Sequence, residues 1–133
     1  MPSRSKVFSL DPNKSLIPVE VLLEGPKGRL LVHMALDTGA TYTIVPVGTL
    51  RAIGYDPTAS AARVEFIAAG SVERKPVITV RAAQAFGVRI PRLPVVCHDL
   101  PPQSPVRGLL GLNFLKHLSL HLDFPHRLLR IAK

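Results

Sequence analysis

Short runs in which apolar and polar residues alternate dominate this chain and predict β-strands. Apolar residues occupy every second position from Ile17 to Leu23, which is the two-residue period of a half-buried strand. The turn cluster Gly-Pro-Lys-Gly at 25–28 separates this run from the apolar run 30–36, so we predict a β-hairpin over 17–36. The preceding residues 1–15 are predicted to be a loose N-terminal arm with one short strand at 7–10.

The rest of the chain continues the pattern of short strands and turns. Two helical turns are predicted, one at 47–53 between Pro46 and Gly54 and one at 112–117. Residues 55–62 and 100–107 are predicted to be loops. Further strands are predicted at 42–46, 63–68, 72–81, 88–97 (bent at Pro91 and Pro94), 108–111, 118–122 and 127–131. Many strands with little helix indicate an all-β barrel or sandwich, in one domain spanning 16–133.

The composition limits the classes of partner. The chain has 133 residues, enough for one core, and a net charge of +8, which permits attraction to nucleic acid or anionic surfaces. However, the basic residues are scattered, with Arg74-Lys75 the longest cluster, and aromatic residues make up only 5% with no Trp. A base-stacking platform is therefore not indicated, and we interpret the charge as a solvated basic surface.

The sequence also carries expectations about location. Cys97 is the single cysteine, which excludes an internal disulfide and any cysteine-rich metal site. The N-terminus has no apolar segment typical of a signal peptide, and no apolar run is long enough to span a membrane. We therefore expect a cytoplasmic protein without membrane association.

The stretch around Asp37 carries the candidate chemistry. The apolar run 30–36 delivers this carboxylate to the small-residue turn Thr38-Gly39-Ala40-Thr41. A glycine at this point allows other backbone or a ligand to come close. The simplest alternative is an aspartate that only caps a turn.

Two separated motifs together resemble those of the retropepsin-like aspartic proteases, the single-domain relatives of pepsin. Asp37-Thr38-Gly39 resembles the Asp-Thr/Ser-Gly turn of that family, and Leu109-Leu110-Gly111 resembles its later apolar-apolar-Gly element. The resemblance covers roughly residues 16–131. It implies an all-β barrel with one short helix after the Leu-Leu-Gly motif. It also implies a flap, a hairpin with its tip at Ala69-Gly70-Ser71.

The resemblance implies a homodimer, and the acidic residues agree with it. Peptide hydrolysis of this class needs two carboxylates about 3 Å apart that share one proton. The chain has one Asp-Thr-Gly, and no other Asp or Glu precedes Ser/Thr-Gly. A two-fold axis would therefore supply Asp37 from each of two chains.

The resemblance also implies a role for each residue of the turn and of the flap. Asp37 would be general base in one subunit and general acid in the other. The Thr38 hydroxyl would bond to the partner's backbone, and Gly39 would let the substrate backbone approach. The remaining substrate-binding residues would be those of the turn and the flap tip: Ala40, Thr41, Ala69, Gly70 and Ser71.

Two positions depart from viral members of the family. Those proteins often have an acid two positions after the motif glycine and an Arg directly after the later glycine, paired as ions. Here the two positions hold Thr41 and Leu112. Both partners are absent together, which fits a dimer held by apolar packing at this point.

Other candidate chemistry is weaker. His117 and His121 are four residues apart, but no carboxylate or cysteine completes a metal site, so no metal or other cofactor is expected. Cys97 and His98 are adjacent and point to opposite faces of a strand, which argues against a nucleophile with its base. The glycines framing 108–111 lack the Lys-Ser/Thr of a phosphate loop, and Asp123 is expected in a turn. Residues 37–41 are also similar to the Asp-Lys-Thr-Gly-Thr motif of phosphorylating ATPases, but they lack its lysine, so we discard this alternative.

Two functions remain open from the sequence. The first is a homodimeric aspartic endopeptidase that cleaves a peptide or protein substrate at an acidic pH optimum, with the flap closing over an extended peptide. The second is a retropepsin-like dimer that binds peptides or partner proteins without cleaving them.

Overall fold

The computed structural model describes residues 5–68 and 70–133, which contain ten strands and two helices. The strands are β1 Ser5–Ser9, β2 Pro18–Gly25, β3 Gly28–Leu36, β4 Thr43–Val45, β5 Arg63–Ala68, β6 Ser71–Ala85, β7 Val88–Cys97, β8 Gly108–Leu110, β9 Ser119–Asp123 and β10 Leu128–Ala132. The helices are α1 Val47–Ala52 and α2 Leu112–Leu115, and a 3-10 turn spans Pro57–Ala59.

Six strands close into a barrel. Their order is β2-β3-β8-β4-β7-β6, and β6 returns to pair with β2 through Leu22–Glu24. Most neighbours are antiparallel, but β3 with β8 and β4 with β7 are parallel. The first part of β6 extends beyond the barrel and pairs with β5. The retropepsin-like all-β barrel expected from the sequence is confirmed.

A smaller sheet joins the two ends of the chain. Its order is β1-β10-β9, with Ser5 opposite Ala132 and Ser9 opposite Leu128. Phe8 in β1 also packs edge-on against Phe86, with ring centroids 5.3 Å apart. The N-terminal strand thus pairs with the C-terminal strand of its own chain.

The core lies inside the barrel and follows the two-residue period of the strands. In β2 the side chains of Val19, Val21 and Leu23 are buried while Glu20 is exposed. Phe114 of α2 is fully buried and closes the barrel beside Leu110. Burial of alternate apolar side chains is the main stabilising contribution, about 1.5–3 kcal/mol for each large one.

The structure confirms most of the predicted elements and changes three. Strand β7 has the predicted bounds 88–97, and α1 forms between Pro46 and Gly54. Strand β6 runs to Ala85 rather than ending at 81, because its last residues pair with both β2 and β7. The loop at 55–62 holds a 3-10 turn, capped by Asp56 through a hydrogen bond from the Thr58 N–H. The short strand predicted at 7–10 forms at 5–9.

Neither of the helices in the described part of the chain has the length and apolar character needed to cross a bilayer.

Candidate active site

Asp37 follows β3 directly and lies where two parallel strands end together. Leu36 is the register partner of Leu110, the last residue of β8. The Asp37 N–H donates to the Leu110 carbonyl oxygen at 3.0 Å. This hydrogen bond extends the ladder by one step and fixes the direction in which the Asp37 carboxylate leaves the barrel.

The turn after Asp37 is closed by its own carboxylate. Asp37 Oδ1 accepts the Gly39 N–H at 2.8 Å, and the Ala40 N–H donates to the Asp37 carbonyl oxygen at 3.2 Å. Oδ2 accepts no hydrogen bond from the described residues. Thr38 and Gly39 are exposed, and Asp37 is half-buried. One oxygen therefore caps the turn, as in the simplest structural interpretation, and the other is left to face solvent or a ligand.

A second loop crosses behind this turn at very short range. The Leu112 N–H donates to the Ala40 carbonyl oxygen at 2.7 Å, and the Asn113 N–H donates to the Thr41 carbonyl oxygen at 3.2 Å. At Gly111 there is no space for a side chain, since a Cβ atom there would lie 2.5 Å from the Tyr42 carbonyl oxygen. The Leu109-Leu110-Gly111 motif thus supports the Asp37 turn through backbone contacts.

Thr43 and Asn113 hold the two loops together through side-chain hydrogen bonds. Asn113 Oδ1 accepts both the Thr43 N–H and the Thr43 hydroxyl at 2.9 Å. Thr43 Oγ1 in turn accepts the Gly111 N–H at 3.1 Å, and Asn113 Nδ2 donates to the Pro94 carbonyl oxygen. Neither residue was predicted from the sequence to support the site. The available signal was Thr43 within the apolar stretch 42–46 and Asn113 within the apolar stretch 112–115.

A cavity of about 880 Å³ opens beside Asp37. Its apolar wall includes Ala35 and Leu109 from the barrel and Val106 from the loop before β8. Its opposite side comes from both ends of the chain, through the segment 8–18 and residues of the β9–β10 region. Asp11 is the other carboxylate on its lining, where Oδ1 accepts the Asn13 N–H at 2.9 Å. The cavity is therefore a largely apolar space with Asp37 at one edge.

The β5–β6 hairpin has its tip at the predicted place. Ala68 pairs with Ser71, and Gly70 has a φ of +80°, a left-handed conformation that favours glycine. Ala69 lies outside the described residues. Next to the tip, the cross-strand pair Ile67 and Val72 is exposed by 77% and 62%. Of the described tip residues, neither Gly70 nor Ser71 lines the cavity beside Asp37.

The two positions that depart from the viral pattern lie beside the Asp37 turn. Thr41 is exposed, and the Leu112 side chain is 42% exposed although it begins α2. Leu112 thus presents an uncovered apolar surface next to the candidate catalytic group.

The other candidate residues occupy structural positions. Among the described residues, no three His, Cys, Asp or Glu side chains are grouped to hold a metal ion. Asp123 is the last residue of β9, at the start of the turn to β10, where it accepts the His126 N–H and contacts the His126 ring, which holds the Asp123 pKa below its usual range. Cys97 is buried and burial raises its pKa, whereas the neighbouring His98 ring stacks on Phe66. Cys97 and His98 therefore do not form a nucleophile–base pair.

Comparison with known proteins places this geometry in a family. The chain belongs to the family described as "gag-polyprotein putative aspartyl protease", whose sequence model matches residues 26–117. A search of curated proteins finds no significant match.

Solved structures agree on the fold. A crystal structure of a retropepsin-like aspartic protease from Rickettsia conorii superposes with a TM-score of 0.70 at 13% identity, over 98% of this chain and 92% of that one. The retroviral protease-like domain of Ddi1 from Leishmania major superposes with a TM-score of 0.53 at 20% identity, over 88% of each chain. At these identities the likeness establishes a retropepsin-like fold.

Proposed function

We propose that this protein is an aspartic endopeptidase whose active site forms when two chains bring their Asp37 carboxylates together. The observation that carries the proposal is the placement of Asp37. Its turn is held by the crossing loop at Leu110 and Gly111, and its Oδ2, which accepts no hydrogen bond from the described residues, lies beside a large apolar cavity. The family to which the chain belongs supports the same assignment.

The chemistry follows from two carboxylates that cannot both ionise. At a separation of about 3 Å they share one proton, so one Asp37 is a base and the other an acid. The base takes a proton from a water molecule, whose oxygen attacks the peptide carbonyl carbon. The acid gives its proton to the carbonyl oxygen. The tetrahedral intermediate then collapses as the C–N bond breaks: the nitrogen takes the proton that the first Asp37 received from water, and the second Asp37 regains a proton from a hydroxyl of the intermediate, leaving an acid and an amine.

The substrate would lie extended across the site. The apolar wall formed by Ala35, Val106 and Leu109 can receive apolar side chains of a peptide. The exposed pair Ile67 and Val72 near the hairpin tip can cover the peptide from above if the hairpin closes as a flap. Gly70 and Ser71 would then meet the peptide backbone, as a strand added to a sheet edge.

The surface around the turn is suited to a second copy of the chain. Thr38 is exposed with its hydroxyl free to reach a partner's backbone, and Leu112 offers an apolar contact where viral members have an ion pair. Because β1 already pairs with β10 of its own chain, the proposed dimer does not require the N-terminal strands to be exchanged.

The same groove also supports a second function, binding of an extended peptide without hydrolysis. The specific observation is that each chain contributes a single Asp-Thr-Gly carboxylate. A chain that stayed monomeric, or a dimer that held the two Asp37 groups too far apart, would bind without cleaving.

The test is cleavage of a peptide library between about pH 3 and 7 by the wild type and by Asp37→Asn. We expect the wild type to cleave and Asp37→Asn to lose at least about 10²–10⁴-fold in rate, since the substitution removes both carboxylates of the proposed dimeric site. Asn keeps an Oδ1 that can accept the Gly39 N–H, so the fold should survive. The matched control is Asp56→Asn, which keeps a cap on the remote 3-10 turn and should cleave like the wild type. Cleavage by Asp37→Asn at the wild-type rate would overturn the proposal.

A further inference from the structure

A second cavity, of about 430 Å³, lies at the base of the β5–β6 hairpin, away from Asp37. Arg63 and Lys75 reach it from the two strands of the hairpin. Arg51 reaches it from α1, and His98 from the end of β7. Three cations and a histidine that are well separated in the sequence thus surround one space.

The carboxylates near this cavity are already engaged. Asp99 Oδ1 accepts the Val47 N–H at 2.9 Å, and Glu73 pairs with Lys75 at 2.7 Å. Asp56 accepts both the N–H and the hydroxyl of Thr58. Within the described parts of the chain, neither Arg51 nor Arg63 has a carboxylate within 4.0 Å. Glu73 thus offsets the charge of Lys75, which leaves Arg51 and Arg63 as the lining cations with no such partner among the described residues, against one lining carboxylate, Asp99.

The remaining walls are apolar. Val47, Pro57 and Pro76 line the cavity between the charged groups. The volume exceeds what one phosphate or carboxylate group fills and is at the lower end of small-molecule sites. Guanidinium groups bind planar carboxylates and phosphates in a two-pronged manner and are weakly hydrated. The lining thus combines anion recognition with room for an apolar body.

We propose that this cavity is a binding site for a small organic anion, with its phosphate or carboxylate held by Arg51 and Arg63 and its apolar part against Val47, Pro57 and Pro76. The site is separate from the proposed peptide cleft and does not rest on proteolysis. A bound anion would contact the hairpin through Arg63 and helix α1 through Arg51. It would therefore tie the base of the hairpin to α1.

His98 provides a local reporter of occupancy. Its ring stacks on Phe66 of β5, with centroids 4.5 Å apart. Burial lowers the His98 pKa, and nearby Lys75 lowers it further, against the opposite influence of Glu73 and Asp99. An anion in the cavity would favour the imidazolium ion and move this pKa upward.

The experiment is a nuclear magnetic resonance titration of the full chain at constant ionic strength. The probes are phenyl phosphate, benzoate and the neutral benzyl alcohol. We expect saturable binding of at least one anion, shifts of the His98 ring signals and an upward move of the His98 titration midpoint. Phosphate and carboxylate are distinguished by which anion binds more tightly.

Variants separate this site from general attraction to a basic protein. Arg51→Gln and Arg63→Gln should each weaken binding about fivefold or more, because each removes a charge-assisted hydrogen bond. Arg130→Gln, at an exposed position of β10 outside the cavity, is the matched control and should bind like the wild type. Absence of saturable binding in the wild type, equal binding of benzyl alcohol, or equal weakening by Arg130→Gln would each overturn the proposal.

Discussion

Thr43 is fully buried although it carries a hydroxyl, and its hydrogen bonds explain how the fold tolerates it. Its Oγ1 both donates to Asn113 Oδ1 and accepts the Gly111 N–H. A buried polar group with all its partners costs little, whereas one that loses a partner costs the full desolvation penalty. Thr43 therefore supports the Asp37 turn through its hydrogen bonds and takes no part in the proposed reaction.

Replacing Thr43 with Val should destabilise the protein by about 1–3 kcal/mol, since the buried Gly111 N–H loses its acceptor. Chemical denaturation measures the change in the free energy of unfolding. Thr79→Val is the matched control, because Thr79 is exposed on β6 and Val suits a strand. Its effect should stay within about 0.5 kcal/mol. Equal stability of the Thr43 variant and the wild type would show that the hydrogen bonds of the Thr43 hydroxyl do not stabilise the fold.

At the scale of elements, the site depends on two loops that cross with no room between them. Gly111 lies against the backbone of Tyr42 and Ala40. Gly48, in α1, has open space where a Cβ would be placed. A side chain at position 111 would therefore clash with the backbone, whereas a side chain at position 48 has room.

Gly111→Ala should destabilise the protein by about 2–3 kcal/mol or more, because the added Cβ meets backbone atoms that cannot rotate away. Gly48→Ala should instead stabilise it by about 0.5–1 kcal/mol, since Ala is the better helix former. Thermal unfolding of the two variants checks both directions. A tolerated Gly111→Ala would contradict the close crossing of the loops.

The sequence predicted elements well wherever a local pattern defined them. The alternation in β2 and the turn cluster at 25–28 predicted a hairpin over 17–36, which forms at 18–36, and the motif glycines indicated the Asp37 turn and the Leu109-Leu110-Gly111 element. The C-terminal part of β6 was missed because Ala82, Ala83 and Ala85 show no alternation, and its pairing with β2 is a long-range contact. The basic cavity was missed for the same reason, since Arg51, Arg63 and Lys75 meet only in the folded chain.

At the scale of the whole molecule, the shifted titrations predict how stability depends on pH. Hydrogen bonds from Thr58 lower the pKa of Asp56, the Lys75 ammonium lowers that of Glu73, and burial lowers that of His98. In each case the unfolded chain binds protons more readily than the folded one. Stability should therefore fall as the pH drops below about 6.5 and fall further below about 4.

The loss of stability at alkaline pH has a different cause, a pKa that folding raises. Burial raises the pKa of the Cys97 thiol, so the unfolded chain loses that proton first and stability falls as the pH rises past about 8.5. Denaturation midpoints measured across the pH range should show a plateau between these limits. Cys97→Ala should remove the decline near the thiol pKa. A wild type most stable near pH 4 would contradict the assigned shifts.

The proposed active site needs Asp37 from two chains, and a subunit-mixing assay measures this requirement. Wild-type and Asp37→Asn chains are mixed in varying proportion at constant total concentration, equilibrated, and assayed for peptide cleavage. If only dimers with two intact Asp37 groups cleave, activity falls as the square of the wild-type fraction, to about one quarter in an equal mixture. Activity of about one half, as for chains that act singly, or of about three quarters, as for mixed dimers that remain active, would contradict a site shared between two Asp37 groups.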